Sequence, residues 1–513
     1  MNVAQAAARI PSARTVVPDS TLHADVVIVG LGAGGSMVLH DLALQGVDVL
    51  GLEYGASYDP TAMTRREEQM LPHLLMDSGA RATQDMAVGI LQGKGVGGST
   101  LHNTNLCKRL PRPLLEQWAR DFGLDNLLSD TLTQDFDDVE ALLGVHPVPD
   151  DAINENNRLI AKGVQALGWQ GGRLSHNRQG CKQSGFCELG CPNNGKQNAA
   201  KVLVPAALDA GARVLTHARV VRILTRDNQA YGVRCEAVSD DGHTVLHTFE
   251  VHASQVILGA SATGSAELAL RSDLPDPYNL CGTNLHMHPG AFVAGVFDHP
   301  VRSWEGTPQA QDCTEFLSFD DPLKSAWIVS GAAHPGGGAG LMPGFGRAHG
   351  EIMTQYANVA VSIVMLHDHC SGHVRPRAPY GLSVHYALGR QEYKQLEVGI
   401  KAAARILLAA GAREVVIPLN PIRRATREAD LQTWSWKDLG PFSPRMVAVH
   451  PMSTLWMGAD PRASVVDPQG AHHQVRALWV ADGSLFPTSI GGPPQIPIYT
   501  FGRHVARHVA HAL

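Results

Sequence analysis

Residues Asp25 to Glu53, DVVIVGLGAGGSMVLHDLALQGVDVLGLE, constrain the fold of this chain more than any other stretch. A Val/Ile run ends at Gly30. The pattern Gly30-x-Gly32-x-x-Gly35 follows, then an amphipathic segment and a second apolar run closing on Glu53. This is the order strand, glycine turn, helix, strand, acid. Gly30 permits the sharp turn, Gly32 lets backbone approach a pyrophosphate, and Gly35 lets the helix pack close on the sheet. Ala33 and Gly34 open the helix, whose free N–H groups and positive end suit phosphates. Glu53 stands where a carboxylate accepts hydrogen bonds from a ribose. The motif predicts dinucleotide binding and leaves FAD and NAD both open.

The chain has 513 residues, which predicts two or more domains. Hydrophobic residues at 44% and charged residues at 18% are ordinary for a globular enzyme. A net charge of −6 gives no reason to expect nucleic acid as a partner, and no apolar run is long enough for a transmembrane segment. Residues 1–23 lack an apolar h-region and read as a loose leader, so a cytoplasmic location is the expectation. Pro111 to Leu143 reads as helical, Arg213 to Leu224 and Gln255 to Leu258 as strands, and Gln391 to Gly411 as an amphipathic helix. Nucleotide-type signals lie at both ends of the chain. The predicted class is therefore α/β. A discontinuous Rossmann-like domain (24–110, 200–290 and 445–513) receives an inserted α+β substrate-binding and cap domain (111–199 and 291–444) on a mostly antiparallel sheet.

Several further segments keep a telling order: Gly93-Lys-Gly-Val-Gly-Gly-Ser-Thr-Leu-His-Asn103, Val256-Ile-Leu-Gly-Ala260, Gly282-Thr-Asn-Leu-His-Met-His-Pro289, His450-Pro-Met-Ser-Thr-Leu-Trp-Met-Gly458 and Leu478-Trp-Val-Ala-Asp-Gly-Ser-Leu-Phe-Pro-Thr488. With the Gly30 fingerprint, this set resembles the glucose–methanol–choline (GMC) family of FAD-dependent oxidoreductases from about residue 24 to the C-terminus. The nearest resemblance is to its bacterial long-chain alcohol oxidase-like branch, through a cysteine loop described below. The resemblance implies bound FAD, a small-molecule alcohol substrate, and dioxygen or another electron acceptor. It implies cofactor contacts at Gly97, Gly98, Ser99, His102, Asn103, Val220, Ala260, Asp482, Gly483 and Pro494. Choline oxidase-like members carry a His-Asn pair whose histidine is bonded to the flavin, and His102 matches that position.

Alcohol oxidation removes a proton from oxygen and a hydride from carbon. A histidine that accepts the proton as the hydride leaves is cheaper than prior deprotonation, and its ordinary pKa of ~6.5 suits the task. His450 matches the family's active-site histidine and is the expected general base. The partner position departs from the family: Pro493 stands where most members have His or Asn, and proline has no polar side-chain atom. Gln495 is the expected substitute catalytic contact, with His286, His288, His367, His369 and His373 as weaker ones. The departure keeps a flavin-retaining lyase of hydroxynitrile-lyase type open as the alternative; the C-terminal segments argue against an NAD-dependent dehydrogenase. Cys181-x5-Cys187-x3-Cys191 matches no standard zinc or ferredoxin spacing, so packed thiols are expected there and no metal.

Overall fold

In the computed structural model, which describes residues 1–513, two sheets with separate cores stand on either side of one large cavity. The first sheet holds β1 (Thr21–Val29), β2 (Val49–Leu52), β3 (Arg213–Leu215), β4 (Ala218–Arg226), β5 (Gln229–Val238), β6 (Val245–Leu258) and β7 (Leu478–Val480). Strands run parallel in the order β3-β2-β1-β6-β7. The 14-residue β6 changes partner along its length. Its first half pairs antiparallel with β5, which pairs with β4, and its last three residues pair with β7. Val26–Val29 are all buried, as expected of a strand covered on both faces.

Helix α1 (Ala33–Ala43) joins β1 to β2 and is packed by α2 (Ala199–Asp209). A Cβ on Gly35 would stand against the Gly30 carbonyl oxygen, far inside contact distance, so this position sets how closely α1 approaches the sheet. The C-terminal helix Gln495–Ala512 crosses α1 from the other side, where a Cβ on Gly502 would lie 2.9 Å from the Gly34 carbonyl oxygen.

The second sheet runs antiparallel in the order Asp312–Cys313, Ala326–Ser330, Val359–Leu366, Gly290–Val296, Glu414–Ile417, Arg423–Ala425. Period-two alternation divides its side chains. Ala291, Val293, Val364 and Leu366 join a core with Leu396, Ile400 and Leu407 of α3 (Arg390–Ala410). Phe292, Ile363 and Met365 face the cavity. Helix α3 ends on Gly411 in the left-handed conformation (φ 105°), as its glycine stop predicts.

Several elements lie apart from the domain bounds expected for them. Val88–Ile90 and Met446–Ala448, both expected in the cofactor domain, pair with each other, and the latter adds to the second sheet at Gly290. Residues 112–142 were expected with the substrate domain. They form two helices, Arg112–Phe122 and Asp130–Leu142, parted at Gly123, and pack in the cofactor core: Trp118 stacks on Phe486 and donates to Thr488. The expected strand Arg213–Leu224 breaks at His217, where φ is 54°. Residues 1–23 are not loose. Val3–Arg9 is a helix docked on α2, and β1 starts at Thr21. No helix is long and apolar enough to cross a membrane. A Gly35→Ala variant should lose about 1–3 kcal/mol of stability through overpacking; a thermal melt matching wild type would refute this close approach.

Candidate active site

The cavity, about 1200 Å³, extends along the N-terminus of α1 and the ends of β2, β4 and β6 to the second sheet. Gly30, Gly32, Ala33, Gly34, Glu53, Gly98, Ser99, His102, Asn103, Val220, Ala260, His450, Asp482, Gly483, Pro494 and Gln495 all line it. Gly35 and Gly97 stand behind the lining; Gly97 holds a left-handed turn (φ 107°) that starts the Gly98–Leu101 helical turn. At Gly32 a Cβ would meet nothing within 4 Å, so bare backbone borders open space at a helix N-terminus. That is the cradle a pyrophosphate requires.

Glu53 is buried and gathers three backbone donors. Its Oε2 accepts from Leu31 N (3.0 Å), and Oε1 accepts from Gly55 N (2.9 Å) and Gly95 N (3.0 Å). Burial raises its pKa despite these bonds. Only Oε2 keeps room for a ribose hydroxyl. Asp482 is likewise buried, with Oδ2 accepting from Ser265 and Oδ1 from Ser484. It fixes the turn that brings Gly483 to the cavity. Ser99 accepts from Gly93 N at 2.9 Å, closing the second glycine loop on itself.

His102 has an orphaned atom: Nε2 is fully buried and has no hydrogen-bond partner. Burial, with the nearby Lys196 cation, pushes its pKa down to about 3, so the imidazole is neutral. Lys196, which sequence reading passed over, is itself buried. Its three N–H bonds go to the carbonyls of Leu101 (3.0 Å), Asn103 and Cys187 (2.9 Å). The lysine thus ties the His102 loop to the cysteine loop. Nothing in a lysine's sequence context announces burial, so this role was not legible beforehand. Cys181, Cys187 and Cys191 are free thiols, and no three His, Cys, Asp or Glu side chains are grouped to hold a metal ion.

Gln495 is committed inside the protein. Its Oε1 accepts from Asn103 Nδ2 (2.9 Å), and its Nε2 donates to Leu106 O and Asn177 Oδ1 (3.2 Å). All of its ordinary donors are taken, so it has none to offer a substrate. Pro493 lines the cavity with no polar atom beyond its carbonyl.

His450 borders the cavity and touches one polar partner, His288, with Nδ1 atoms 3.2 Å apart. Burial pushes the His450 pKa down to about 4, so the ring is neutral at physiological pH. Behind this pair lies buried Asp368, another residue missed from sequence. It accepts from Met287 N (3.0 Å), His288 N (3.2 Å), Ser489 Oγ (2.8 Å) and Tyr386 Oη (2.7 Å), with His286 Nδ1 at 3.4 Å. Burial works to raise its pKa, but His286 and these donors hold it well below the carboxylate range. His367 bonds the Ser489 carbonyl (3.1 Å) in the same knot. His369 stacks obliquely on His367, and His373 pairs with His385 across a small hairpin; neither lines the cavity.

Five of six carboxyl side chains on the cavity wall are engaged. Glu67 accepts from Gly336 and Gly337 N, Asp77 from Arg81, and Glu267 from Arg271, alongside Glu53 and Asp482. Glu188, carried in by the cysteine loop, has no hydrogen bond or ion pair, and burial raises its pKa to about 7.

Comparison with known proteins settles the family. GMC oxidoreductase family models match residues 71–290 and 369–502. This chain belongs to the GMC oxidoreductase family. A GMC-type oxidoreductase of Mycobacterium tuberculosis is 35% identical over 95% of this chain and 76% of its own length. A long-chain-alcohol oxidase of Arabidopsis thaliana is 26% identical over 97% of this chain and 70% of its own. The fold is shared with pyridoxine 4-oxidase from Mesorbium loti (TM-score 0.71, 18% identity, 95% of this chain and 99% of that one). It is shared also with Aspergillus oryzae formate oxidase (TM-score 0.69, 14% identity, 97% and 99%). The family's flavin, FAD, fits the bare backbone at Gly32 and the unpartnered Nε2 of His102.

Glu188 allows a pH test. Between the unfolded carboxyl range and about pH 7 the folded protein keeps a proton that the unfolded chain sheds, so stability falls as pH rises through that window. Glu188→Gln should therefore gain stability over wild type at pH 8 and lose that advantage toward pH 4.5; melts showing no pH-dependent gap would refute the raised pKa.

Proposed function

We propose that this enzyme oxidises the CH–OH group of an apolar alcohol, with FAD held along α1 and the substrate against the second sheet. The observation that carries this reading is the continuity of the cavity. One space joins the pyrophosphate cradle at Gly32 to a wall of Phe292, Ile363 and Met365, with His450 on its lining. When bound, the flavin supplies the acceptor for the hydride that leaves carbon. The chain's own residues do the rest. Gly32 and the α1 N-terminus receive the diphosphate, and Glu53 Oε2 takes a ribose hydroxyl. The apolar wall holds an alkyl chain and keeps water out. His450, neutral because buried, meets the alcohol oxygen and would take its proton as the hydride leaves carbon. Gln495 acts as a brace for Asn103. The long-chain-alcohol oxidases of Arabidopsis among the relatives support an aliphatic substrate.

The reading extends to a covalent bond between His102 Nε2 and the flavin, which would replace a flavin C–H bond and pass the two protons and two electrons released to the enzyme's electron acceptor; it is supported by that nitrogen being buried, neutral and unpartnered. Acid precipitation should leave yellow flavin with the protein, and His102→Ala should release it; complete release from wild type would refute the bond. Anaerobic mixing with primary aliphatic alcohols should bleach the flavin, and His450→Ala should slow bleaching by about 10²-fold or more. Re-oxidation by dioxygen against an artificial acceptor identifies the electron acceptor. A flavin that no alcohol of a broad panel reduces would overturn oxidation in favour of lyase chemistry.

A further inference from the structure

Glu188 is the carboxyl side chain on the cavity wall that nothing in the protein engages. Lys196 is the cation whose charge acts on it, but the three N–H bonds of Lys196 already go to the carbonyls of Leu101, Asn103 and Cys187. Glu67, the neighbouring carboxylate, is spent on Gly336 and Gly337 N. The Glu188 oxygens are not sealed against protein; they keep accessible surface on the cavity. A carboxyl drawn out of water without a partner is costly, and a ligand that hydrogen-bonds to it recovers that cost.

The second sheet fixes where this group stands relative to His450. Gly290 pairs with Met365 on one side and with Val447 on the other, and Val447 lies three residues before His450. That is the reacting end of the wall. From Met365 the strand Val359–Leu366 runs back past Ile363 to Val361, whose carbonyl accepts from Gly331 N at 2.7 Å. Four residues of strand cover roughly 13 Å. The neighbouring chain leaves there through Ala332 and Ala333, which line the cavity, to His334. His334 Nε2 donates to the Gly185 carbonyl (3.2 Å), and its ring stacks on Phe186 with centroids 4.6 Å apart. Phe186 and Glu188 share one helical turn, Phe186–Leu189. Glu188 therefore closes the wall of Phe292, Ile363 and Met365 at the end opposite His450.

We propose that Glu188 is a specificity-determining residue that binds a second hydroxyl group, carried at the far end of the substrate's alkyl chain. A plain alkanol laid along the wall would leave the carboxyl unpaired. A carboxyl that holds its proton both donates and accepts, and a hydroxyl does the same, so the two satisfy each other. Burial raises the pKa of Glu188 to about 7 and so keeps that proton on a large share of the molecules at neutral pH. The substrate class is then an alcohol with a distal hydroxyl, its two oxygens on the order of 10 Å or more apart along the strand. This assignment rests on the oxidase reading above for the identity of the reacting group; the carboxyl–hydroxyl contact itself does not.

The test compares α,ω-alkanediols with primary alkanols of matched chain length on the holoenzyme. After division by two for its equivalent ends, the diol of best-fitting length should exceed its alkanol in kcat/KM by about 3- to 10-fold, the net scale of one hydrogen bond. The gain should lie in KM, because a contact remote from the reacting carbon is made alike before and during reaction. Glu188→Leu should abolish the preference, and Glu188→Gln, which keeps a donor and an acceptor, should retain most of it. A wild type indifferent to the second hydroxyl at every length would overturn the proposal. So would a Glu188→Leu variant that keeps the preference but shifts the flavin absorption of substrate-free enzyme, which would put the carboxyl against the flavin. An ω-amino alcohol preferred over the diol would replace the hydroxyl with a cation. If wild type oxidises no alcohol, the oxidase reading fails, and calorimetry with the diol still decides the contact: binding weakened in Glu188→Leu supports it, and equal or absent binding overturns it.

Discussion

A single buried carboxylate holds the nucleotide half of this enzyme together. Glu53 ends β2 and accepts N–H bonds from Leu31, Gly55 and Gly95, which belong to three separate glycine-rich turns. None of those turns has a ladder of its own, and each would otherwise leave a donor unpaired in the interior. Charge-assisted bonds of this kind are stronger than neutral ones, and they offset part of the cost of burying the acid, whose pKa stays raised. The fingerprint loop and the second glycine loop therefore cannot move independently. Their contact is so close that a Cβ on Gly98 would lie 2.8 Å from the Gly32 Cα.

The reacting end is built on the same principle with different donors. Asp368 collects two backbone N–H groups and two hydroxyls, and through them fixes the residues around His288. Lys196 is the converse case, a buried cation whose three N–H bonds are all spent on carbonyls. Burial pushes its pKa down to about 8, and its charge adds to burial in keeping the His102 imidazole neutral. Buried charges thus hold the loops around the cavity, while the wall of Phe292, Ile363 and Met365 is left apolar.

The nucleotide half was legible because its chemistry is local. Gly30 to Glu53 lie within a few turns of chain, and their spacing encodes turn, helix and acid together. The reacting end was legible only in part. His450 could be singled out from 25 histidines by its segment, but the His288 ring that faces it, and the N–H groups of Ile490 and Gly491 that hold that ring, are distant in sequence. Gln495 looked like a free amide because its three partners, Asn103, Leu106 and Asn177, come from elsewhere in the chain. Residues 112–142 read as helix from their pattern. Their assignment to the wrong core came from assuming that chain order follows domain order. The HPGGGAGLMPGFG stretch has poor helix propensity, yet Pro335–Leu341 is helical because Glu67 accepts the N–H groups of Gly336 and Gly337 at its start.

The alternation of the second sheet has a further consequence. Phe292, Ile363 and Met365 face the cavity, while their neighbours Ala291, Val293 and Val364 pack under α3. The inner residues pack in the core under α3, while Met365 and Ile363 join a smaller cluster with Leu106, Leu174, Trp327 and Val329. Exchanging outer side chains can therefore reshape the cavity wall while leaving the core under α3 in place.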